Sequence, residues 1–121
     1  MTENEWKKEI IASCEAVGTY KPAFNAVIEA LANLLENRDS VRAEFEASGG
    51  QLIVEHTNAK GATNLEQNPM IRLLNDMNRD ALAYWRDLGL TPAGLKKIDE
   101  RALKEQKKTG LADILKGLGD G

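Results

Sequence analysis

The chain has 121 residues, 42% of them hydrophobic and 29% charged, with a net charge of −3. That length suits one domain burying about two thirds of its unfolded surface. The negative balance excludes a globally basic nucleic-acid binder, so any DNA contact has to come from a local patch. The single cysteine, Cys14, rules out an internal disulfide and suits a reducing compartment. No apolar run approaches the ~20 residues of a membrane span, and the N-terminus lacks a signal-peptide pattern. A cytoplasmic protein is expected.

Few aromatic and β-branched residues against many Ala, Leu, Glu and Lys favour helix. Thr2 and Glu5 have capping-box spacing. Trp6, Ile10, Cys14 and Val17 follow at helical intervals until Gly18 stops the run. Cys14 reads as core filler. Thr19 is expected to open a second helix with Pro22 in its first turn. Phe24, Val27, Ile28, Leu31, Leu34 and Leu35 would form its broad buried face. Val41 and Phe45 resume that stripe after Asn37–Ser40, so one long helix to about Ser48 is preferred over two.

Gly49-Gly50 ends the helix. Leu52, Ile53 and Val54 form a strand-like run, and Asn58-Ala59-Lys60-Gly61 has the composition of a turn. A small hairpin and an ordered loop both fit, because Ala62 to Gln67 is too polar to decide between them. Asn68 then caps a helix with Pro69 at its first position, where the missing N–H costs nothing. Met70, Leu74, Met77, Ala81, Tyr84 and Leu88 alternate four and three residues apart, the period of a helix packed lengthwise on another. Ile71, Leu82 and Trp85 widen the stripe. Both an intramolecular hairpin with the second helix and an added subunit contact fit a face this broad. For the subunit contact the candidate residues are Ile71, Leu74, Met77, Leu82, Tyr84 and Trp85. Gly89 ends this helix, and Thr91-Pro92 start the next, expected to run to about Lys108. Beyond Gly110, Leu111, Ile114, Leu115 and Leu118 form a short amphipathic tail, marginal as an isolated helix, which either docks onto the body or waits for a partner.

The expected architecture is therefore all-α: a long antiparallel helical hairpin, an N-terminal helix, a short hairpin-like connector and a basic C-terminal helix. Residues 1–110 make one domain and 111–121 a tail.

Enzymatic signatures are absent. There is no phosphate-binding G-x-x-x-x-G-K loop. His56 and Cys14 are the only residues of their kinds and lie in different elements, which excludes Cys/His zinc clusters and gives no support to a catalytic triad. His56 reads as a water-exposed loop or strand residue. Asp76, Asp80 and Asp87 alternate with Arg72, Arg79 and Arg86 as exposed intrahelical pairs. No catalytic residue, metal or cofactor is expected.

Charge is unevenly spread. Residues 1–66 hold 6 Lys/Arg against 11 Asp/Glu, whereas residues 91–121 hold 7 against 5. Lys96, Lys97, Arg101, Lys104, Lys107 and Lys108 cluster on the last long helix, and Lys97, Arg101, Lys104 and Lys108 share one face. Such a face can engage DNA phosphates in a salt-sensitive way. It also fits a solvated helix face whose cations complement the helix dipole.

The order of a long helix, Gly49-Gly50, a connector with Gly61, Asn68-Pro69, a second long helix and Leu88-Gly89-Leu90-Thr91-Pro92 resembles the phage terminase small subunit family. The resemblance covers roughly residues 20–100. It implies a non-catalytic ring oligomer that recognises viral double-stranded DNA and regulates the ATPase and nuclease of the large terminase subunit in the host cytoplasm. One departure stands out: family members often carry an arginine soon after the proline, whereas here Ala93-Gly94-Leu95 precede Lys96. The alternative is a small DNA-binding regulator in which the helices on either side of Gly89-Leu90-Thr91 act as a helix-turn-helix. A structural interaction module without a nucleic-acid partner is a third possibility.

Overall fold

The computed structural model describes residues 1–119. Helix α1 spans Glu3–Val17. After a single 3-10 turn at Pro22–Phe24, α2 spans Asn25–Ala47. Strands β1 (Ile53–Thr57) and β2 (Thr63–Gln67) follow, then α3 (Pro69–Asp87) and α4 (Pro92–Gly119).

Helix α1 begins where Thr2 Oγ1 accepts the Glu5 N–H at 3.2 Å. The Glu3 N–H donates to the Glu36 carboxylate, so a residue of α2 satisfies a second free donor of this terminus. Asp39, also on α2, accepts from Trp6 Nε1 at 2.7 Å and pairs with Arg38 at 3.1 Å. The N-terminal amine lies 3.3 Å from the same carboxylate. Partial burial works to raise the Asp39 pKa, but hydrogen bonds from Trp6, Arg38 and the amine, with the Arg38 charge, outweigh it. The carboxyl is held below its ordinary value.

Helix α2 is the centre of the molecule. Ile28, Leu31, Ala32 and Leu35 are fully buried, and they meet Ile10 and Cys14 of α1 on one side and Ala81 of α3 on the other. Truncating a buried leucine such as Leu35 to alanine costs on the order of 2–5 kcal/mol. Burial raises the Cys14 thiol pKa, opposed by its hydrogen bond with Thr19. The expected stripe is narrower than its composition suggested: Phe24 and Val27 remain more than one third exposed. Thr19 does not open α2. It is buried, and its hydroxyl donates 2.8 Å to the Leu88 carbonyl, so the residue expected to cap α2 locks the end of α3 instead. Arg38 in the middle of α2 meets Asn78 in the middle of α3.

The fold is not strictly all-α, because the connector pairs as a two-stranded antiparallel sheet with Ile53 opposite Gln67 and Thr57 opposite Thr63. Its turn explains how so polar a second arm is held. Asn58 Oδ1 accepts from the N–H groups of Lys60 and Ala62, and Gly61 N donates to Asn58 O. This is a type I turn followed by a left-handed glycine, a common hairpin closure. His56 lies exposed on β1, 3.5 Å from Glu66 across the ladder. Asn68 ties the hairpin to the helix that follows. Its side chain caps Met70 N at 3.1 Å and donates to Gln51 O at 3.0 Å, while its N–H donates to Leu52 O at 2.9 Å.

Of the acid–base pairs expected along α3, only Asp76–Arg79 closes, at 3.6 Å, among the described residues. The last helix also departs from expectation. Rather than stopping near Lys108, α4 continues through Gly110 to Gly119. A single interior glycine costs about 1 kcal/mol against alanine, and the surrounding Ala, Leu, Lys and Glu residues offset it. The residues expected to form a separate tail thus extend α4. Residues 120–121 of that tail lie outside the described residues.

Candidate nucleic-acid interface

The start of α4 is built to bring cations together. Thr91 caps it, its Oγ1 accepting the Gly94 N–H at 3.0 Å. Gly94 then seats directly against the end of α3, where a Cβ would lie 2.2 Å from the Arg86 carbonyl oxygen. Gly89 does the equivalent for the turn: it adopts φ +73°, and a Cβ there would lie 2.9 Å from both Ile98 and Thr19. Two glycines therefore let α3 and α4 meet closer than any side chain would permit. The result is a shallow cleft of about 150 Å³ lined by Arg86, Asp87, Gly94, Lys97, Ile98 and Arg101.

Arg86 joins Lys97 and Arg101 in this cleft, a partner that sequence reasoning placed only in an exposed intrahelical pair. The missed signal was Gly94, whose position just inside a helix start marks a close approach. Lys104 and Lys108 continue the same ridge, about 16 Å from Lys97 to Lys108 at the helical rise. Lys96 faces another side, among Pro92, Leu95, Asp99 and Glu100, and Lys107 flanks the ridge. All six of these cations are exposed. Among the described residues none has a carboxylate within 4.0 Å. A row of unpaired cations on a rigid helix can neutralise phosphates and release their counterions.

The residues expected to mediate self-association are placed differently. Leu74 is 6% exposed, and Tyr84 and Trp85 pack against the protomer's own core. Ile71 and Met77 are half-buried, and Leu82 alone of the set is exposed. Among the described residues no three His, Cys, Asp or Glu side chains converge to hold a metal ion, and no helix is long and apolar enough to cross a membrane.

These features define a mostly helical protein with a cationic ridge projecting from its α3–α4 corner. Residues 3–105 match the family model described as phage terminase, small subunit, and the chain belongs to that family. Comparison with curated proteins and with solved structures yields no match.

Proposed function

We propose that this chain acts in phage DNA packaging as the non-catalytic, DNA-recognising partner of the large terminase subunit. It assembles as a ring oligomer in the host cytoplasm and modulates the large subunit's ATPase and nuclease. The family match across residues 3–105 carries this reading. A DNA contact through Arg86, Lys97 and Arg101 at the corner, extended by Lys104 and Lys108, with Lys96 and Lys107 at the sides, is supported by the grouping and exposure of these cations. Repeating a weak phosphate-binding ridge around an oligomer multiplies avidity without new contacts. Self-association draws on the part of the α3 stripe still accessible, Ile71, Met77 and Leu82, while Leu74, Tyr84 and Trp85 support it from inside the protomer.

The test replaces Lys97 and Arg101 with glutamine and measures double-stranded DNA binding over a salt series by fluorescence anisotropy. Affinity should fall, and the slope of log affinity against log salt should flatten by about 0.9 for each phosphate no longer neutralised. Light scattering should show unchanged mass. An unaltered slope would make the ridge a solvated face only. A dimer with sequence-selective binding, in place of a larger assembly, would favour the helix-turn-helix regulator.

A further inference from the structure

The distal half of α4 is a projecting apolar surface. Leu111, Ile114, Leu115 and Leu118 are 59–73% exposed. Because α4 is unbroken, Leu111 lies about 28 Å from the helix start at Pro92. A straight helix cannot turn back onto its own body, so whatever covers these leucines comes from another molecule.

The pattern along α4 says what that surface must look like. Lys104, Lys108, Leu111 and Leu115 are separated by four, three and four residues, so they form one straight ridge that is cationic first and apolar afterwards. Leu118 continues it. On the outer face of α1, Glu5, Glu9, Ala12 and Ala16 have the same four-three-four spacing, and all four are exposed. This second ridge is anionic first and apolar afterwards. Laid side by side in the same direction, the two match position by position: Lys104 to Glu5, Lys108 to Glu9, Leu111 to Ala12 and Leu115 to Ala16. Small alanines opposite leucines allow close packing, as in a helix seam. Beyond Ala16 the α1 ridge opens into an apolar groove of about 510 Å³, walled by Val17, Leu90, Pro92 and Leu95, at the level Leu118 reaches.

We propose that the distal half of α4 docks along α1 of a second copy of this chain. Lys104 and Lys108 face Glu5 and Glu9 of that copy, and the leucines lie over its Ala12–Val17 end. Each copy gives one ridge and receives another at a different place, a head-to-tail contact of the kind that closes into rings. The proposal rests on the self-association reading above and deepens it. It also divides the basic ridge between two tasks, leaving Arg86, Lys97 and Arg101 for DNA.

Charge reversal tests it, with mass read by size exclusion and light scattering and helix content by circular dichroism. Lys104→Glu with Lys108→Glu should lower the assembly's mass toward the 13.3 kDa protomer without loss of helix. Glu5→Lys with Glu9→Lys should do the same, and the chain carrying all four changes should reassemble. Leu111→Ser with Leu115→Ser should dissociate the assembly irrespective of salt. An assembly whose mass is unmoved by the lysine reversal, or is not restored by the four-fold change, overturns the proposal while leaving self-association standing. An unaltered chain that stays monomeric overturns both. Loss of large-subunit stimulation at unchanged mass would assign the ridge to the large subunit and refute the contact between copies.

Discussion

Replacing Gly94 with alanine is the sharpest test of how the α3–α4 corner is held. The new Cβ would stand 2.2 Å from the Arg86 carbonyl oxygen, and 3.0 Å from both the Arg86 carbonyl carbon and Thr91 Oγ1. Ordinary contact begins near 3.4 Å, so α4 has to retreat by about 1 Å. Both obstructing Arg86 atoms are backbone at the end of a helix and cannot swing aside as a side chain would. Overpacking of this kind costs about 1–3 kcal/mol, against a gain of up to about 1 kcal/mol from replacing a helical glycine. The net expectation is a loss of about 1–2 kcal/mol, or roughly 4–10 °C in Tm for a chain of this size. Thermal unfolding followed by circular dichroism at one fixed protein concentration reads it, since assembly makes Tm depend on concentration. Gly110→Ala is the matched control. Nothing lies within 4 Å of its Cβ position, so the same substitution should leave Tm unchanged or raise it. If Gly94→Ala melts at or above the parent, the close approach of the two helices is wrong, and with it the grouping of Arg86 with Lys97 and Arg101.

Two further outcomes follow from polar contacts between elements. Thr19→Val keeps the shape of the side chain but strips the Leu88 carbonyl of its 2.8 Å donor. Urea unfolding should show a loss of about 1–3 kcal/mol, and a change below a few tenths would mean that water replaces the hydroxyl. Asp39 sets a pH dependence. Its folded pKa is depressed by Trp6, Arg38 and the N-terminal amine, so its contribution is fully present above its unfolded value of about 3.9 and is lost as pH falls through the lower folded value. Asp39→Asn should therefore melt below the parent at pH 7, with the gap closing below about pH 4. A gap that persists undiminished at low pH would assign the effect to altered geometry rather than to charge.

Local signals determined most of the element boundaries. Thr2, Gly18, Asn68-Pro69, Gly89 and Thr91-Pro92 each act within a few residues through caps and backbone conformation, and they lie where the helices start or stop. The cluster of six cations between Lys96 and Lys108 was legible for the same reason, as were the residues that carry the family resemblance. Whatever depended on contacts distant in sequence was not. Thr19 looked like a cap because its hydroxyl suits one. Only its meeting with Leu88, 69 residues away, turned it into a lock for α3. The polar second arm of the connector carried no strand pattern of its own, and the Asn58 turn supplied the pairing. The apolar stripe of α3 was visible, but packing around α2 decided that Tyr84 and Trp85 serve the protomer's own core while Leu82 stays exposed. Arg86 entered the cationic cleft only because Gly94 lets two backbones touch. Periodicity specifies which residues share a face. What that face meets is settled by burial and close approach across the whole chain, and those exist only once it has folded.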